Sequence, residues 1–366
     1  MAGSFPPMKC GIGDYTRYLA QALANEPGVK VGVLTSTQAG ASADGKKFEV
    51  LPVMKRWKIS EVATLARNLR AWKPDIVHVQ YPTQGYLGGS LHWFIPLVCF
   101  FLRRPVVQTW HEPYSVFPMP LRFLMSVVPT RIVVVRPAYL TLLSYPQRLA
   151  LLGRNVTFIP NASSLPALRL SDEERRDLRT HYLKGQQRLL VYYGFVYPHK
   201  GIELLFLVAD PARDQLVIAG EIPVEDPYGA EIRQLASAPP WLGRATIVGF
   251  LPVAEVVQLL AVADAVVLPY RLGGGEWNTS IHGAVLQRTF VLTTSVTQRG
   301  YDKKRNVYYA EVGDVEDMKA ALCQYAGVRR ALDPEVDRDE WPEIARKHHA
   351  LYSRFVSHAA TSRDVS

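Results

Sequence analysis

Short apolar runs alternate with amphipathic helical patterns along almost the whole chain, and this alternation restricts the fold more than any other feature. In the first half the strand-like runs occupy residues 29–35, 75–80, 105–110, 131–135 and 157–160. The rhythm restarts at Arg188, with runs at 188–194, 215–220, 245–250, 265–270 and 290–294. Strands that alternate with helices pair in parallel and carry helices on both faces of the sheet. The sequence therefore predicts an α/β protein.

A polar, charge-rich interval at residues 171–187 (SDEERRDLRTHYLKGQQ) interrupts this rhythm. We interpret it as an interdomain connection, with residues 1–170 forming an N-terminal Rossmann-like domain and residues 188–340 a second one. An amphipathic helix and a tail follow at residues 341–366, and we expect this helix to cross back to the first domain. At 366 residues with 48% hydrophobic content, the chain is long enough for two cores.

Cysteine usage and hydropathy exclude several classes of protein. Cys10, Cys99 and Cys323 are odd in number, widely separated and without metal-ligand spacing, so we expect core residues or residues without a role, in a reducing, cytoplasmic compartment. The N-terminus has no apolar secretory segment. The most apolar stretch, residues 91–102 (LHWFIPLVCFFL), is too short to span a bilayer. It predicts a buried helix or, alternatively, a membrane-facing one.

A net charge of +9 implies an acidic partner, and charge alone does not choose among nucleic acid, an anionic membrane and phosphorylated substrates. Basic residues cluster in the first third of the chain, with Trp57 and Trp72 among them: Lys55, Arg56, Lys58, Arg67, Arg70, Lys73, Arg103 and Arg104. Such a face either lies against anionic lipid headgroups or is a solvated basic surface.

The segment 265–294 (AVVLPYRLGGGEWNTSIHGAVLQRTFVLTT) runs from a strand through a glycine-rich turn into a polar helix start. Glycines 273–275 allow a close approach of the backbone, and Asn278, Thr279 and Ser280 offer caps and free N–H groups. An anion at a helix start also meets the positive end of the helix dipole. This pattern predicts a phosphate site, although it is equally typical of a loop that caps an ordinary helix.

Other polar motifs also follow strands, where parallel α/β sheets bind their ligands. They are a glycine turn that opens a helix at residues 10–15 (CGIGDY), His111 in the segment WHEP, and Lys200 in residues 194–201 (GFVYPHKG). A single histidine after a strand is more often structural. Its occurrence in an ordered set of strand-end motifs favours a functional role for His111.

These motifs, in this order, resemble the family 4 retaining glycosyltransferases of the GT-B fold, in which two Rossmann-like domains face each other across a cleft. The resemblance extends over nearly the whole chain, through FPP, GIGDYTRYLAQAL, TWHEPY, IPNAS, GFVYPHKGIELL, VGFLP and ADAVVLPY. It implies transfer of a sugar from a UDP- or GDP-type donor to a glycan or lipid-linked acceptor held by the N-terminal domain. Envelope polysaccharide or glycoconjugate synthesis at the inner membrane face is the expected setting, with no nucleic-acid partner.

The resemblance also implies roles for individual residues. Gly11 and Gly13 would border the donor diphosphate, His111 would contact the donor sugar, and Lys200 would neutralise the diphosphate. The remaining expected donor contacts are Gly194, Arg271, Asn278, Thr279 and Ser280. Lys200 and a helix dipole stabilise a departing diphosphate without a metal, so no cofactor or metal is expected. The only Asp-x-Asp, Asp337 to Asp339, lies in a charged stretch that we interpret as surface.

The chain departs from the family pattern at three positions. Phe195 stands where the family usually has an arginine, and Arg271 is the candidate replacement. Gly275 and Gly283 align with two usual glutamates, which leaves Glu276, one position away, as the candidate catalytic carboxylate. These departures keep two alternatives open: a sugar-nucleotide epimerase of the same fold, and an inactive GT-B-like partner subunit.

The third departure concerns the first strand, which in the family normally precedes the Pro-Pro turn. Here only four residues precede Phe5. A parallel sheet of this type places its first strand centrally. We therefore expect either that a Val-, Ile- and Leu-rich run is encoded upstream of Met1, or that the first sheet lacks a central strand.

Overall fold

The computed structural model describes residues 1–39, 47–112, 123, 125, 127 and 130–361. The chain divides into two compact units. Unit 1 comprises Met1–Ser164 and Asp339–Ser366, and unit 2 comprises Leu165–Arg338. Residues 171–187, which were assigned to an interdomain connection from the sequence, belong to unit 2. The first boundary between the two units lies between Ser164 and Leu165.

Unit 1 is built on parallel strands, as the alternating pattern predicts. They are β1 (Gly32–Ser36), β2 (Glu49–Met54), β3 (Val77–Tyr81), β4 (Val106–Trp110), β5 (Thr130–Val134) and β6 (Val156–Phe158). β1 pairs with β2, and the other four pair in the order β3-β4-β5-β6. β2 was missed by the sequence analysis because most of its residues are only half-buried, which weakens the apolar run.

The first residues of the chain lie between β1 and β3. Ala2 forms parallel bridges to Leu34 of β1 and to Val79 of β3. Its backbone N–H donates to His78 O at 2.8 Å, and Gln80 N–H donates to Ala2 O at 2.9 Å. The sequence predicted that the central strand position of this sheet would be empty or filled by residues encoded upstream of Met1. Ala2 instead occupies this position, between β1 and β3.

The helices of unit 1 are α1 (Gly11–Leu23), α2 (Val62–Trp72), α3 (Ile95–Phe101), α4 (Tyr145–Ala150) and the last helix of the chain, Trp341–Thr361. α1 buries Tyr15, Leu19 and Leu23 on one face, as its helical spacing predicts. The last helix packs on α1, where the ring of Trp341 stacks on that of Tyr18 at 5.5 Å. A helix that is distant from α1 in sequence therefore completes the core of unit 1.

The apolar stretch 91–102 forms a short 3₁₀ turn followed by α3. Leu91, Ile95 and Cys99 are buried, whereas Phe100 and Phe101 are 60% and 75% exposed. Among the residues that the structure describes, no helix is both long and apolar enough to cross a membrane.

Unit 2 contains a seven-stranded sheet in the order β12-β13-β11-β10-β7-β8-β9. Its strands are β7 (Arg188–Tyr193), β8 (Asp214–Ala219), β9 (Ala245–Ile247), β10 (Ala265–Leu268), β11 (Val291–Ser295), β12 (Gly300–Asp302) and β13 (Val307–Glu311). All pairs are parallel except β12 with β13, two strands that the sequence analysis did not identify. The central strands β8, β10 and β11 are buried throughout, as a sheet covered on both faces requires.

The helices of unit 2 are α5 (Asp172–Thr180), α6 (Leu205–Val208), α7 (Pro227–Ser237), α8 (Val253–Val262), α9 (Thr279–Leu286) and α10 (Val315–Tyr325). The last helix of the chain, Trp341–Thr361, is therefore α11. α5 begins with a capping box between Ser171 and Glu174. The side chain of Asp314 likewise accepts from Asp317 N–H at the start of α10 and caps that helix.

Candidate active site

In unit 2, the loops that follow β7 and β10 lie side by side. The two strands are neighbours, with Ala265 opposite Leu190 and Val266 opposite Val191. Gly194, directly after β7, has φ +147°, and a Cβ built on it would lie 3.5 Å from Ser280 Oγ. The positive φ favours glycine at this position, and the 3.5 Å distance places the backbone after β7 beside the start of α9.

The start of α9 is open to a ligand. Asn278 precedes the helix, but its Oδ1 accepts from Gly275 N–H at 3.0 Å instead of capping α9. Within the described ranges, no group accepts a hydrogen bond from the backbone N–H of Thr279 or Ser280. Free N–H groups at the positive end of a helix favour an anion.

Lys200 ends a short 3₁₀ turn in the loop after β7. Its Nζ lies 4.7 Å from the centre of the Tyr270 ring. The next residue, Gly201, has φ +67°, and any Cβ there would come within 2.2 Å of Pro269 O. Arg271 N–H also donates to His199 O at 3.0 Å, so the Lys200 loop is fastened to the end of β10.

Arg271, the candidate replacement for the missing arginine at position 195, is engaged in an ion pair. Its Nε lies 2.7 Å from Glu203 Oε1, and the other oxygen of Glu203 accepts from Tyr228 Oη. A phosphate contact therefore requires Arg271 to share its guanidinium with Glu203. Phe195 stacks on Tyr197 at 6.2 Å and supplies no charge.

The carboxylate of Glu276 faces Arg305 at 3.3 Å and is 59% exposed. The backbone oxygen of Glu276 lies 2.5 Å from His282 Nε2. Burial, followed by the nearby Arg305, lowers the pKa of His282 to about 4, so this histidine is neutral and its Nε2–H donates to that oxygen. The local backbone is therefore anchored even though the Glu276 side chain is solvated.

Gly283, which aligns with a second family glutamate, is buried in α9. A Cβ on it would lie 2.8 Å from Leu165 Cδ1. Leu165 thus occupies the space into which a side chain at position 283 would extend.

In unit 1, the glycine turn forms the first turn of α1. A Cβ on Gly13 would lie 3.3 Å from Ser4 Cβ and 3.4 Å from Phe5 N, so α1 packs closely against the turn that follows Ala2. Gly11 is exposed at the first position of the helix. Asp14 in the same turn has a raised pKa because it is largely desolvated, an effect opposed by Arg17.

His111 follows β4 and is 7% exposed. Its backbone N–H donates to Tyr81 O at 2.8 Å, its Nε2 lies 2.9 Å from Gln80 Oε1, and its ring meets Tyr15 edge-to-face at 4.6 Å. Burial, followed by the nearby His348, lowers the pKa of His111 to about 3. The imidazole is therefore neutral at physiological pH.

The polar groups behind His111 were not predicted from the sequence. His78 and Gln80 lie two residues apart on one face of β3, and α11 contributes His348 and Tyr352. Tyr352 Oη lies 2.6 Å from His78 Nδ1, and Tyr15 Oη lies 3.3 Å from His348 Nε2. In the β3 sequence VHVQY, polar residues alternate with apolar ones. This alternation could have predicted that His78 and Gln80 lie on the same face of the strand.

No metal centre is formed by the described part of the chain, where no group of three or more His, Cys, Asp or Glu side chains is placed to hold an ion. Asp337 instead pairs with Arg169 and, at 2.9 Å, with Arg288. Asp339 Oδ1 accepts from Trp341 N–H at 3.0 Å. Both carboxylates of the Asp-x-Asp are thus used in structural contacts.

Comparison with known families covers most of the chain. Residues 10–150 match the model described as Glycosyltransferase Family 4, and residues 187–327 match that described as Glycosyl transferases group 1. The chain belongs to the family 4 glycosyltransferases. Comparison with curated protein sequences gives no match.

Solved structures resemble this glycosyltransferase over its whole length. A sucrose-phosphate synthase from Thermosynechococcus elongatus is 16% identical, with a TM-score of 0.65 over 97% of this chain and 93% of that one. The catalytic domain of Arabidopsis thaliana starch synthase IV, bound to ADP and acarbose, is 12% identical, with a TM-score of 0.71 over 97% and 98%. Anabaena HepE in complex with UDP-glucose is 14% identical, with a TM-score of 0.62 over 97% and 96%. The fold is GT-B.

Proposed function

We propose that this glycosyltransferase is a retaining enzyme that uses a UDP- or GDP-type sugar donor and a glycan or lipid-linked acceptor. Cell-envelope polysaccharide or glycoconjugate synthesis is the proposed setting. The observation that carries the proposal is the approach, in unit 2, of the loop after β7, which contains Gly194 and Lys200, to the open start of α9. The structural neighbour HepE was solved with UDP-glucose, which supports a nucleotide-sugar donor.

The proposed chemistry is stabilisation of a leaving group. As the bond between sugar and diphosphate breaks, the sugar becomes oxocarbenium-like and negative charge develops on the diphosphate. Lys200 supplies a positive charge, and the N–H groups of Thr279 and Ser280 supply donors at a helix start. Asn278 holds the glycine turn through Gly275, and Gly194 leaves room for the diphosphate. These groups act without a metal, so metal independence is part of the proposal.

Unit 1 contributes its own set of donor contacts in this proposal. His111, neutral and held by Gln80, contacts the donor sugar. Gly11 and Gly13 let the backbone at the start of α1 border the diphosphate. Arg271 and Glu276 are proposed as further donor contacts, each of which exchanges its present partner, Glu203 or Arg305, for the ligand.

We also propose peripheral attachment to the inner, cytoplasmic face of a membrane. Phe100 and Phe101 are exposed at the end of α3 and are followed by Arg103 and Arg104, a combination that suits anionic headgroups. From the sequence, the aromatic contribution to this face was assigned partly to Trp57. That assignment was wrong, because Trp57 is fully buried against Tyr86.

A donor panel tests the proposed function. UDP- and GDP-sugars are incubated with the full chain, and release of nucleotide and the anomer of the product are followed by NMR. Nucleotide release from one donor, with the anomeric configuration kept, is the expected result. Inversion at the anomeric carbon would contradict the retaining mechanism.

The inactive-subunit alternative is favoured by specific observations, namely the packing of Gly283 on Leu165 and the engagement of Arg271 by Glu203. Donor binding without turnover across the whole panel would support it. Release of an altered free sugar in the absence of an acceptor would instead indicate an epimerase.

A further inference from the structure

Three histidines are buried together in unit 1. His78 lies on β3, His111 follows β4, and His348 lies on α11. None is more than 7% exposed, and the rings of His78 and His348 lie 5.2 Å apart. The proposed function uses only His111, so the other buried polar groups need a separate explanation.

A continuous series of hydrogen bonds joins His111 to α11. His111 Nε2 lies 2.9 Å from Gln80 Oε1, and Gln80 Nε2 lies 3.3 Å from His78 Nε2. His78 Nδ1 lies 2.6 Å from Tyr352 Oη on α11, and His78 Nε2 lies 2.7 Å from Thr109 Oγ1. The middle member of the series, Gln80, is completely buried.

The chemistry of the amide gives this series a direction. An amide oxygen only accepts, so His111 must carry its proton on Nε2 and leave Nδ1 bare. An amide nitrogen only donates, so His78 must be bare at Nε2 and carry its proton on Nδ1, toward Tyr352. Which nitrogen of His111 is bare is therefore decided by the orientation of one glutamine.

The backbone and Cβ of Gln80 are held in place by their surroundings. Its backbone N–H donates to Ala2 O at 2.9 Å, and its backbone oxygen accepts from Tyr86 Oη at 2.7 Å. A Cβ on Gly3 would lie 3.1 Å from Gln80 Cβ, so the first residues of the chain pack directly on this side chain. Tyr15 then covers the edge of the His111 ring from α1.

We infer that Gln80 is a positioning residue that holds His111 in the Nε2–H tautomer and so makes its Nδ1 a hydrogen-bond acceptor for a sugar hydroxyl. The part of this inference that concerns the sugar rests on the role proposed for His111. The part that concerns the tautomer does not, because it follows from contacts within unit 1. A bare ring nitrogen accepts from a hydroxyl but repels a carboxylate, so a neutral sugar is the matching ligand.

The ionisable groups that face this network come from several elements. Tyr15 belongs to α1, His78 to β3, and His348 and Tyr352 to α11, and the buried Met1 amino group acts on His78. Desolvation keeps His78, His111 and His348 neutral. A carboxylate placed at position 80 would face His111 directly, and an adjacent opposite charge raises a histidine pKa by about 1–3 pH units.

The test is NMR of the histidine ring nitrogens in the full-length protein labelled with ¹⁵N-histidine, with His111→Asn used to assign the His111 signals. In the wild type we expect the proton of His111 on Nε2. In Gln80→Leu we expect a mixture of tautomers. In Gln80→Glu, where a carboxylate still accepts from Nε2–H, we expect a single Nε2–H tautomer and a pKa raised by about 1–3 pH units.

Gln108→Leu is the matched control. Gln108 is also buried on a strand of this sheet, and its Oε1 accepts from Trp110 Nε1 at 2.9 Å. We expect its removal to leave the His111 tautomer unchanged. If Gln80→Leu does not fold, the pKa change in Gln80→Glu still decides the matter.

Two results would overturn the inference. One is that His111 of the wild type carries its proton on Nδ1, and the other is that neither substitution at position 80 changes the tautomer or the pKa of His111. The proposed function fails differently. If the tautomer is as expected but His111→Asn transfers sugar at the normal rate, the role of His111 in donor binding is wrong and the positioning by Gln80 stands.

Discussion

The ammonium group of Lys200 lies 4.7 Å from the centre of the Tyr270 ring, and this contact joins the loop after β7 to the segment after β10. A cation over an aromatic face is attracted by the ring quadrupole. Because Tyr270 is buried, its ring gives the lysine a rigid support. Lys200 is therefore held against the segment that follows β10 by the fold of unit 2.

Replacement of Lys200 by alanine should reduce turnover ~100-fold or more, because a preorganised charge that stabilises the leaving group is lost. Turnover is measured with the donor identified in the panel. Lys319→Ala removes a lysine that pairs with Glu316 on the surface of unit 2 and should leave turnover unchanged. Normal turnover in a folded Lys200→Ala variant would exclude Lys200 from the site.

Gly283→Glu, which restores a family glutamate, should lower the free energy of unfolding by more than about 2 kcal/mol because it buries a charge and overpacks Leu165. Urea unfolding measures the effect. Adding Leu165→Ala makes room and should recover part of the loss. Gln234→Glu, at an exposed position in α7, is the control and should cost little. A Gly283→Glu variant as stable as the wild type would contradict the packing argument.

Activity should persist in excess EDTA, because Lys200 and the start of α9 supply the positive charge that a divalent cation supplies in other enzymes. Nucleotide release is compared before and after chelation, and again after magnesium or manganese is added back. Loss of activity that either ion restores would show that the proposed metal independence is wrong.

Binding to anionic vesicles should weaken when Phe100 and Phe101 are both changed to serine, because these exposed rings are the apolar part of the proposed membrane contact. Added salt should weaken binding further, since exposed charges are screened beyond ~10 Å at 0.1 M. Co-sedimentation with vesicles measures both effects. Leu207→Ser, at a residue 57% exposed in unit 2, is the control. Equal binding to neutral and anionic vesicles would contradict the proposed membrane contact and would indicate that the basic face is a solvated surface.

Unit 1 should lose stability as the pH falls from 6.5 toward 3. Burial lowers the pKa of both His111 and His348 to about 3 from an ordinary value of 6.5. Between these values the unfolded chain binds protons that the folded chain does not, so acid favours unfolding, whereas above pH 6.5 these groups contribute no pH dependence.

His348→Gln should reduce this slope by about 1.4 kcal/mol per pH unit, the value for one proton. Amide hydrogen exchange of α1 and α11 in increasing urea follows unit 1 alone. The exposed His181 of unit 2 provides a control, since His181→Gln should not change the slope in α1 and α11. A slope in His348→Gln equal to that of the wild type would mean that His348 is not a neutral buried group.

Strand and helix positions were largely recoverable from the sequence because they depend on local hydrophobic periodicity. The predicted runs coincide with β1, with β3 to β6 and with β7 to β11, within a few residues at each end. β2 and β12 were missed because most of their residues are only half-buried, so their apolar patterns are weak. β13 was missed although three of its five residues are buried. Trp57 was misassigned to the surface, because its burial depends on Tyr86, which is distant in sequence.

The sequence by itself determined the α/β architecture, the family and the strand-end positions of Gly194, Lys200, His111 and the start of α9, since each is a local pattern of residue types. Only the tertiary structure decided the partners of the charged and polar side chains. Arg271 pairs with a glutamate 68 residues away, and Tyr352 meets His78 across 274 residues. The first contact arises when the loops after β7 and β10 meet in unit 2, and the second when the sheet of unit 1 and α11 assemble. Tertiary packing then brings together chain segments with no local relationship, and a buried polar group such as His78 is stabilised by a partner from a distant segment.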